Sequence, residues 1–217
     1  MHRAAWVVGL VLLVTIAGAC TFIGERGEGP MASDSRAVGA FTNIEVSGGI
    51  GVDVTIGPAG PVVVNAQANI IPIIATEIVG DTLVIHGTKS FTATERVLVQ
   101  VTTPTLDGIT LSGGSSGQVD SLDATSFTAR LDGGSGLSVA SGRAASLTLT
   151  ASGGSRATLV GLSATDVTVE VSGGSNASIT ASGTVTGSAS GGARVTVSGG
   201  ATLDVEVTGG ASVERAG

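Results

Sequence analysis

From Phe41 onward, apolar and polar residues change places one by one. Phe41-Thr42-Asn43-Ile44-Glu45-Val46 alternates and is closed by Ser47-Gly48-Gly49; Ile50-Gly51-Val52-Asp53-Val54-Thr55-Ile56 alternates and is stopped by Gly57-Pro58. A period of two sends successive side chains to opposite faces of a strand, so both stretches predict half-buried strands. Val62-Val63-Val64, Leu83-Val84-Ile85-His86 and Val97-Leu98-Val99-Gln100-Val101 predict three more. Between them Asn69 to Glu77 contains Pro72. A proline in that position argues against a long helix and predicts a short turn or helical crossover.

Beyond Pro104 the alternation acquires a longer period. Ser112-Gly113-Gly114, Asp132-Gly133-Gly134, Ser152-Gly153-Gly154 and Ser172-Gly173-Gly174 recur 20 residues apart. A fixed repeat of this size marks a solenoid, in which one supersecondary unit stacks on the next. Aligning the units places Val119, Val139, Leu159 and Ile179 in one column and Phe127, Leu147 and Val167 in another. Ala129, Leu149 and Val169 form a third, beside a small-residue column of Ala124, Ala144 and Ala164, with Thr128, Thr148 and Thr168 at the alternate positions. With one unit per coil, equivalents stack at about 4.8 Å, the apolar columns inside and the threonines outside, where ladders of hydroxyls can hydrogen-bond.

The Gly-Gly pairs take the corners, where a positive φ penalises a β-branched residue. Ser115, Ser135, Ser155 and Ser175 follow them and predict a polar corner ladder. After Gly183 the spacing tightens at Ser190-Gly191-Gly192, Ser198-Gly199-Gly200 and Thr208-Gly209-Gly210. This predicts either smaller final coils or a repeat of two half-coils. The charges Asp204, Glu206, Glu214 and Arg215 would blunt an exposed last edge. The fold expectation is all-β: a single-stranded parallel β-helix, or β-solenoid, of roughly 20-residue coils, preceded by an N-terminal β-rich capping region.

The first residues follow a different pattern. His2 and Arg3 precede an uncharged apolar run, Ala4 to Ala17, which is followed by Gly18-Ala19-Cys20. A run of that length suits a signal peptide and is short for a membrane span. Small residues before a lone Cys resemble the lipobox of bacterial lipoproteins, in which the Cys is acylated and becomes the first residue. That makes Cys20 the expected lipidation site and a membrane the expected partner; acyl chains contribute roughly 0.8 kcal/mol per buried methylene. Thr21 to Arg36 is rich in Gly, Ser and charge without periodicity, which predicts a flexible tether. The expected division is therefore a signal peptide over 1–19, a tether over 20–36 and a domain over 37–217, with entry strands 37–104 and repeats 105–217.

Composition narrows the function classes. Gly numbers 35, aromatic residues make up 2%, and 42% of residues are hydrophobic, which describes thin stacked sheet and not a disordered chain. Net charge is −7, and nothing supplies the basic footprint or the stacking platform of a nucleic-acid binder. Cys20 is the single cysteine, so no intramolecular disulfide forms.

The series Gly39-Ala40-Phe41-Thr42-Asn43-Ile44-Glu45-Val46-Ser47-Gly48-Gly49-Ile50-Gly51-Val52-Asp53-Val54, Leu83-Val84-Ile85, Val99-Gln100-Val101-Thr102-Thr103-Pro104 and Leu111-Ser112-Gly113-Gly114 resembles a bacterial family. That family is described as "putative auto-transporter adhesin, head GIN domain". The resemblance covers about residues 37 to 217. It implies a β-helical fold and an exported, cell-surface setting, and no established activity.

Candidate chemistry is sparse. Asp132-Gly133-Gly134-Ser135-Gly136 resembles part of a calcium-binding β-roll repeat, but Ser138 stands where the Asp should follow. His86 is the one histidine after the signal peptide, and no Gly-x-Ser-x-Gly elbow accompanies it. The carboxylates Asp120, Asp123, Asp166, Glu170, Asp204 and Glu206 are scattered along the repeats, with Asp166 and Glu170 placed to face one side of a strand. No catalytic, cofactor or metal site is expected. The function expected is a non-enzymatic, adhesin-like or structural envelope lipoprotein facing the periplasm or cell exterior, with an envelope polysaccharide or surface protein as ligand. A carbohydrate-active β-helix is the alternative, and an ice- or surface-binding threonine array a more distant one.

Overall fold

Strands at the glycine-punctuated spacing lie one above another in parallel, and the computed structural model describes residues 24–216 of this chain. In chain order the strands are β1 Glu25–Arg26, β2 Met31–Arg36, β3 Asn43–Val46, β4 Gly51–Ile56, β5 Val62–Gln67, β6 Ile74–Val79, β7 Thr82–Gly87, β8 Phe91–Thr92, β9 Leu98–Thr103 and β10 Gly108–Leu111. They continue as β11 Ser116–Val119, β12 Leu122–Leu131, β13 Gly136–Val139, β14 Gly142–Ala151, β15 Arg156–Val171, β16 Asn176–Ala181, β17 Thr184–Ala189, β18 Arg194–Ser198, β19 Thr202–Val207 and β20 Ser212–Arg215. A single 3-10 turn, Ile71–Ile73, carries Pro72 in its first turn. Proline lacks the N–H that such a start leaves unpaired, which is why the expected crossover is this short.

The repeat register is the one the columns predict. Phe127 pairs with Leu147 and Leu147 with Val167, and Ala129, Leu149 and Val169 pair likewise. On the other sheet Val119 pairs with Val139, and Leu159 with Ile179. All of these side chains are buried. Each such aliphatic contributes about 1.5–3 kcal/mol relative to exposure, so the stacked columns, not the short strands themselves, hold the coils together. Outside, Thr128, Thr148 and Thr168 stack rung on rung. No hydrogen bond links those three hydroxyls among the described residues, so the expected hydroxyl ladder on this face is a column of contacts only.

Two parallel faces result. Face A runs β7, β3, β10, β12, β14, the second half of β15, β17 and β19; face B runs β9, β4, β11, β13, the first half of β15, β16, β18 and β20. The coils shorten late: Val167 pairs with Val185 and Thr184 with Thr202, a step of 18. The slack is taken out at one corner, where the register shifts between Leu159 and Ser163. Of the two readings of the tightened spacing, smaller final coils is the correct one.

Two expectations change at the N-terminal side. The coil β3–β4 already carries the Gly-Gly corner, and its Gly48 lies under Gly113 of the next coil. It therefore belongs to the solenoid, which starts well before residue 105. Its place is out of sequence: β7 and β9 stack on one side of it, β10 and β11 on the other. The true cap is antiparallel. β6 closes face A against β7, while β5 pairs with β9 and then with β2 on face B. Ile70 and Ile74 are buried behind it, covering the core that an open coil end would leave wet.

The second change concerns the tether. Met31–Arg36, expected to be flexible, is the outer cap strand β2, paired along its length with β5. Its Arg36 fixes it: Nε donates to Asp34 Oδ2 at 2.8 Å, Nη2 to the Ile71 carbonyl at 3.0 Å, and Nη1 to the carbonyl of Ile74. Short polar residues at alternating exposure suit an outermost strand, and in sequence they resemble a linker for the same reason.

Candidate functional site

The corners decide which side of each coil is concave. Ser112 to Ser115 forms a turn with positive φ at both Gly113 and Gly114, and the Ser115 N–H reaches back to the Ser112 carbonyl at 3.3 Å. From Gly173 on, only the first glycine of each pair keeps a positive φ. The serines that follow point inward, not outward: Ser115, Ser135, Ser155 and Ser175 are all buried. Ser135 Oγ donates to the Leu111 carbonyl at 2.8 Å, Ser155 Oγ to the Ser152 carbonyl at 2.6 Å, and Ser175 Oγ accepts from the Ser155 N–H at 3.1 Å. The ladder predicted for these serines therefore lies inside the corner, where Ser135, Ser155 and Ser175 are tied to backbone.

Opposite this corner each coil has a short third side, and here the solenoid is hollowed along its axis. Ala124, Ala144, Ala164 and Ala181 form the floor, one per rung. Asp123, Arg143, Ser163 and Thr180 line one rim; Thr125, Ala145, Thr165 and Ser182 line the other. The groove holds about 600 Å³. It runs on, through Asp123 to Thr125, into a second hollow of about 520 Å³ beside Asn43, Thr105 and Asp107. Ala144, Ala164 and Ala181 turn their methyls into the core, and residues this small let the third side lie close to the axis.

The two ionised groups that line the main groove are engaged with each other, and Asp166, outside it on face A, is engaged with Thr184. Arg143 grips Asp123 on the rung below, Nε to Oδ1 at 3.1 Å and Nη2 to Oδ2 at 2.6 Å. That hydrogen bond, and next the guanidinium charge, holds the Asp123 carboxyl below its ordinary range and raises Arg143. Asp166 Oδ1 accepts from Thr184 Oγ1 at 2.6 Å and from the Thr184 N–H at 3.0 Å. The hydroxyl bond first, then the amide bond, lowers its pKa. Both carboxylates are held in the charged form.

The other residues singled out in the sequence lie apart. Asp120 accepts from Thr55 Oγ1 at 3.0 Å, and Asp132 from Ser152 Oγ at 2.6 Å across one rung. Asp166 and Glu170 do face one side, outward on β15. Asp204 and Glu206 sit on β19 in the last coil. His86 stands on β7, its Nδ1 3.2 Å from the Gly87 carbonyl oxygen. No group of three His, Cys, Asp or Glu side chains suited to a metal is present among the described residues. Cys20 and the signal peptide expected over 1–19 lie outside them. The alanine column was visible in the sequence but reads there as narrow core, since periodicity gives facing, not the indentation of the third side.

Comparison with known proteins agrees with this geometry. A crystal structure titled as a putative adhesin from Bacteroides fragilis NCTC 9343 shares the fold, with a TM-score of 0.74 at 16% identity over 89% of this chain and 100% of the other. A second, titled as a putative adhesin from Parabacteroides merdae ATCC 43184, gives a TM-score of 0.57 at 14% identity over 88% of this chain and 98% of the other. No curated protein matches the chain. The family model described as "Putative auto-transporter adhesin, head GIN domain" matches residues 40–201, and the chain belongs to that family.

Proposed function

We propose that this is a non-enzymatic cell-envelope lipoprotein that displays its solenoid as an adhesin-like or structural surface, anchored through an acylated Cys20. Family membership supports an exported, adhesin-like protein. The observation that carries the non-enzymatic part is that Asp123, the one carboxylate lining the main groove, is gripped through both oxygens by Arg143. Hydrolysis of a sugar polymer by the usual paired carboxylates needs a second carboxyl beside the first, and one of the two kept protonated near neutral pH by a raised pKa. Asp123 has no such partner there, and Arg143 shifts it the other way. An axial groove floored by alanine and rimmed by hydroxyls suits contact with an extended polymer, not turnover of it.

The test is incubation of the chain with envelope polysaccharides and surface matrix proteins, reading retention and release of reducing sugar in parallel. Retention without release is the expected outcome. Release of sugar from any polymer would overturn the non-enzymatic reading in favour of the carbohydrate-active alternative.

A further inference from the structure

Face A of the solenoid is acidic, and face B carries a column of arginines. Face A presents Glu45, Asp166, Glu170, Asp204 and Glu206 against Arg130. On face B the pairing Ser116, Gly136, Arg156, Asn176, Arg194, Ser212 defines one outward column. Arg156 and Arg194 are exposed in it, two rungs apart. A third arginine joins from outside the repeat: Arg96 lies across Gly51, where a Cβ would be 2.9 Å from its Nη2, and that Nη2 donates to Ser116 Oγ at 3.3 Å. Ser116 is two rungs from Arg156. The result is a guanidinium at every second rung, Arg96, Arg156 and Arg194. None of the three forms an ion pair among the described residues, where the pairs are Arg36 with Asp34 and Arg143 with Asp123. The carboxylates of this face stand off the arginine column, Asp53 and Glu214 on the neighbouring column towards its two ends and Asp120 beyond β11, bonded to Thr55.

We propose that face B binds a linear acidic polysaccharide lying along the solenoid axis, with its carboxylates or sulfates on Arg96, Arg156 and Arg194. Linear charge density decides between polyanions. Two rungs place the cations about 10 Å apart, whereas one nucleic-acid strand carries a phosphate about every 3.4 Å. A polymer with one acid per disaccharide matches the wider spacing; a nucleic acid would leave most of its charge unpaired beside a chain of net charge −7. The missing side chain at Gly136 opens a notch of about 250 Å³ between Arg96 and Arg156, lined by Ser116, Gln118, Ser138 and Thr158. These groups can exchange hydrogen bonds with sugar hydroxyls beside each guanidinium fork. An extended peptide has no free strand edge to join here, because each strand of the column is already paired on both sides.

This inference rests on the display reading above, and deepens it by naming the ligand class. The probe is hyaluronan, which has one carboxylate per disaccharide, with neutral dextran, an oligothymidylate and phosphatidylglycerol vesicles measured beside it against the full chain. Expected are retention of hyaluronan but not of dextran or the oligonucleotide, weakening with added salt, and a loss of at least about tenfold in Arg156→Gln/Arg194→Gln; vesicle association, which the anchor supplies, should be the same in that variant. The face A control Arg130→Gln should bind as the unchanged protein does. Equal binding by the double variant, equal retention of dextran, preference for the oligonucleotide, or vesicle association that falls in the double variant would overturn the proposal. Those failures leave intact a solenoid that binds other polymers through its groove, and so are distinguishable from failure of the display reading itself.

Discussion

At Gly187 the backbone has a φ of +122°, and an added Cβ would fall inside contact distance of the Val169 carbonyl on the rung before. At Gly114 the φ is +76°, yet a Cβ there would meet nothing within 4 Å. The two glycines, one inside β17 and one at a corner, therefore separate collision from conformational cost. Gly114→Ala should lose about 1 kcal/mol, the cost of a left-handed conformation for a residue with a side chain. Gly187→Ala should lose about 3 kcal/mol or more, because the fixed neighbouring rung must move as well. Denaturant midpoints of the two variants would measure the difference; similar values would contradict this packing of successive coils.

Between rungs, side chains do at intervals what backbone ladders do throughout. Asp166 and Thr184 tie β15 to β17 where the coil changes length. The native pKa of Asp166 is lowered, so the bond adds stability above the unfolded-state value and loses it as pH falls through the native one. Thr184→Val should therefore raise the Asp166 pKa towards the ordinary carboxylate range, followed by carboxyl-carbon NMR. Its stability deficit at neutral pH should shrink as pH falls below about 4. A deficit independent of pH would show that the hydroxyl acts through packing alone.

How much of each element was legible depends on whether its partner lies a fixed distance along the chain. Phe127, Leu147 and Val167 align by counting 20, and so their burial and register could be read directly. β3 pairs with both β7 and β10, at separations that follow no repeat, so its place between later coils could not. The same limit hid face B. Arg156 and Arg194 come into one column only once the step of 18 is known, and Arg96 reaches them from a loop. The serines after the glycine pairs are legible as a corner ladder, but their facing is not; the corner turns Ser135 and Ser155 inward onto backbone acceptors. β2 was missed because an outermost strand has one paired edge and needs little apolar sequence.

For the molecule as a whole, the cap closes one end of the solenoid, and the proposed anchor at Cys20 would set how it is displayed. The cap is held by Arg36, which joins β2 to the Ile71–Ile74 turn, so a chain begun after residue 36 would leave β5 as a bare edge. Arg36→Met should lower the thermal midpoint and raise self-association, as an uncovered strand edge does; light scattering at matched concentration reads this, and an unchanged, monodisperse variant would contradict the cap assignment. Lipid display is tested most directly by a membrane-impermeant maleimide on cells producing Thr148→Cys, which places the thiol on the exposed threonine column of face A. The account predicts labelling of intact cells with the protein in the membrane fraction, and its release from that fraction when Cys20→Ala is added. Labelling only after lysis, or equal membrane retention without Cys20, would contradict it.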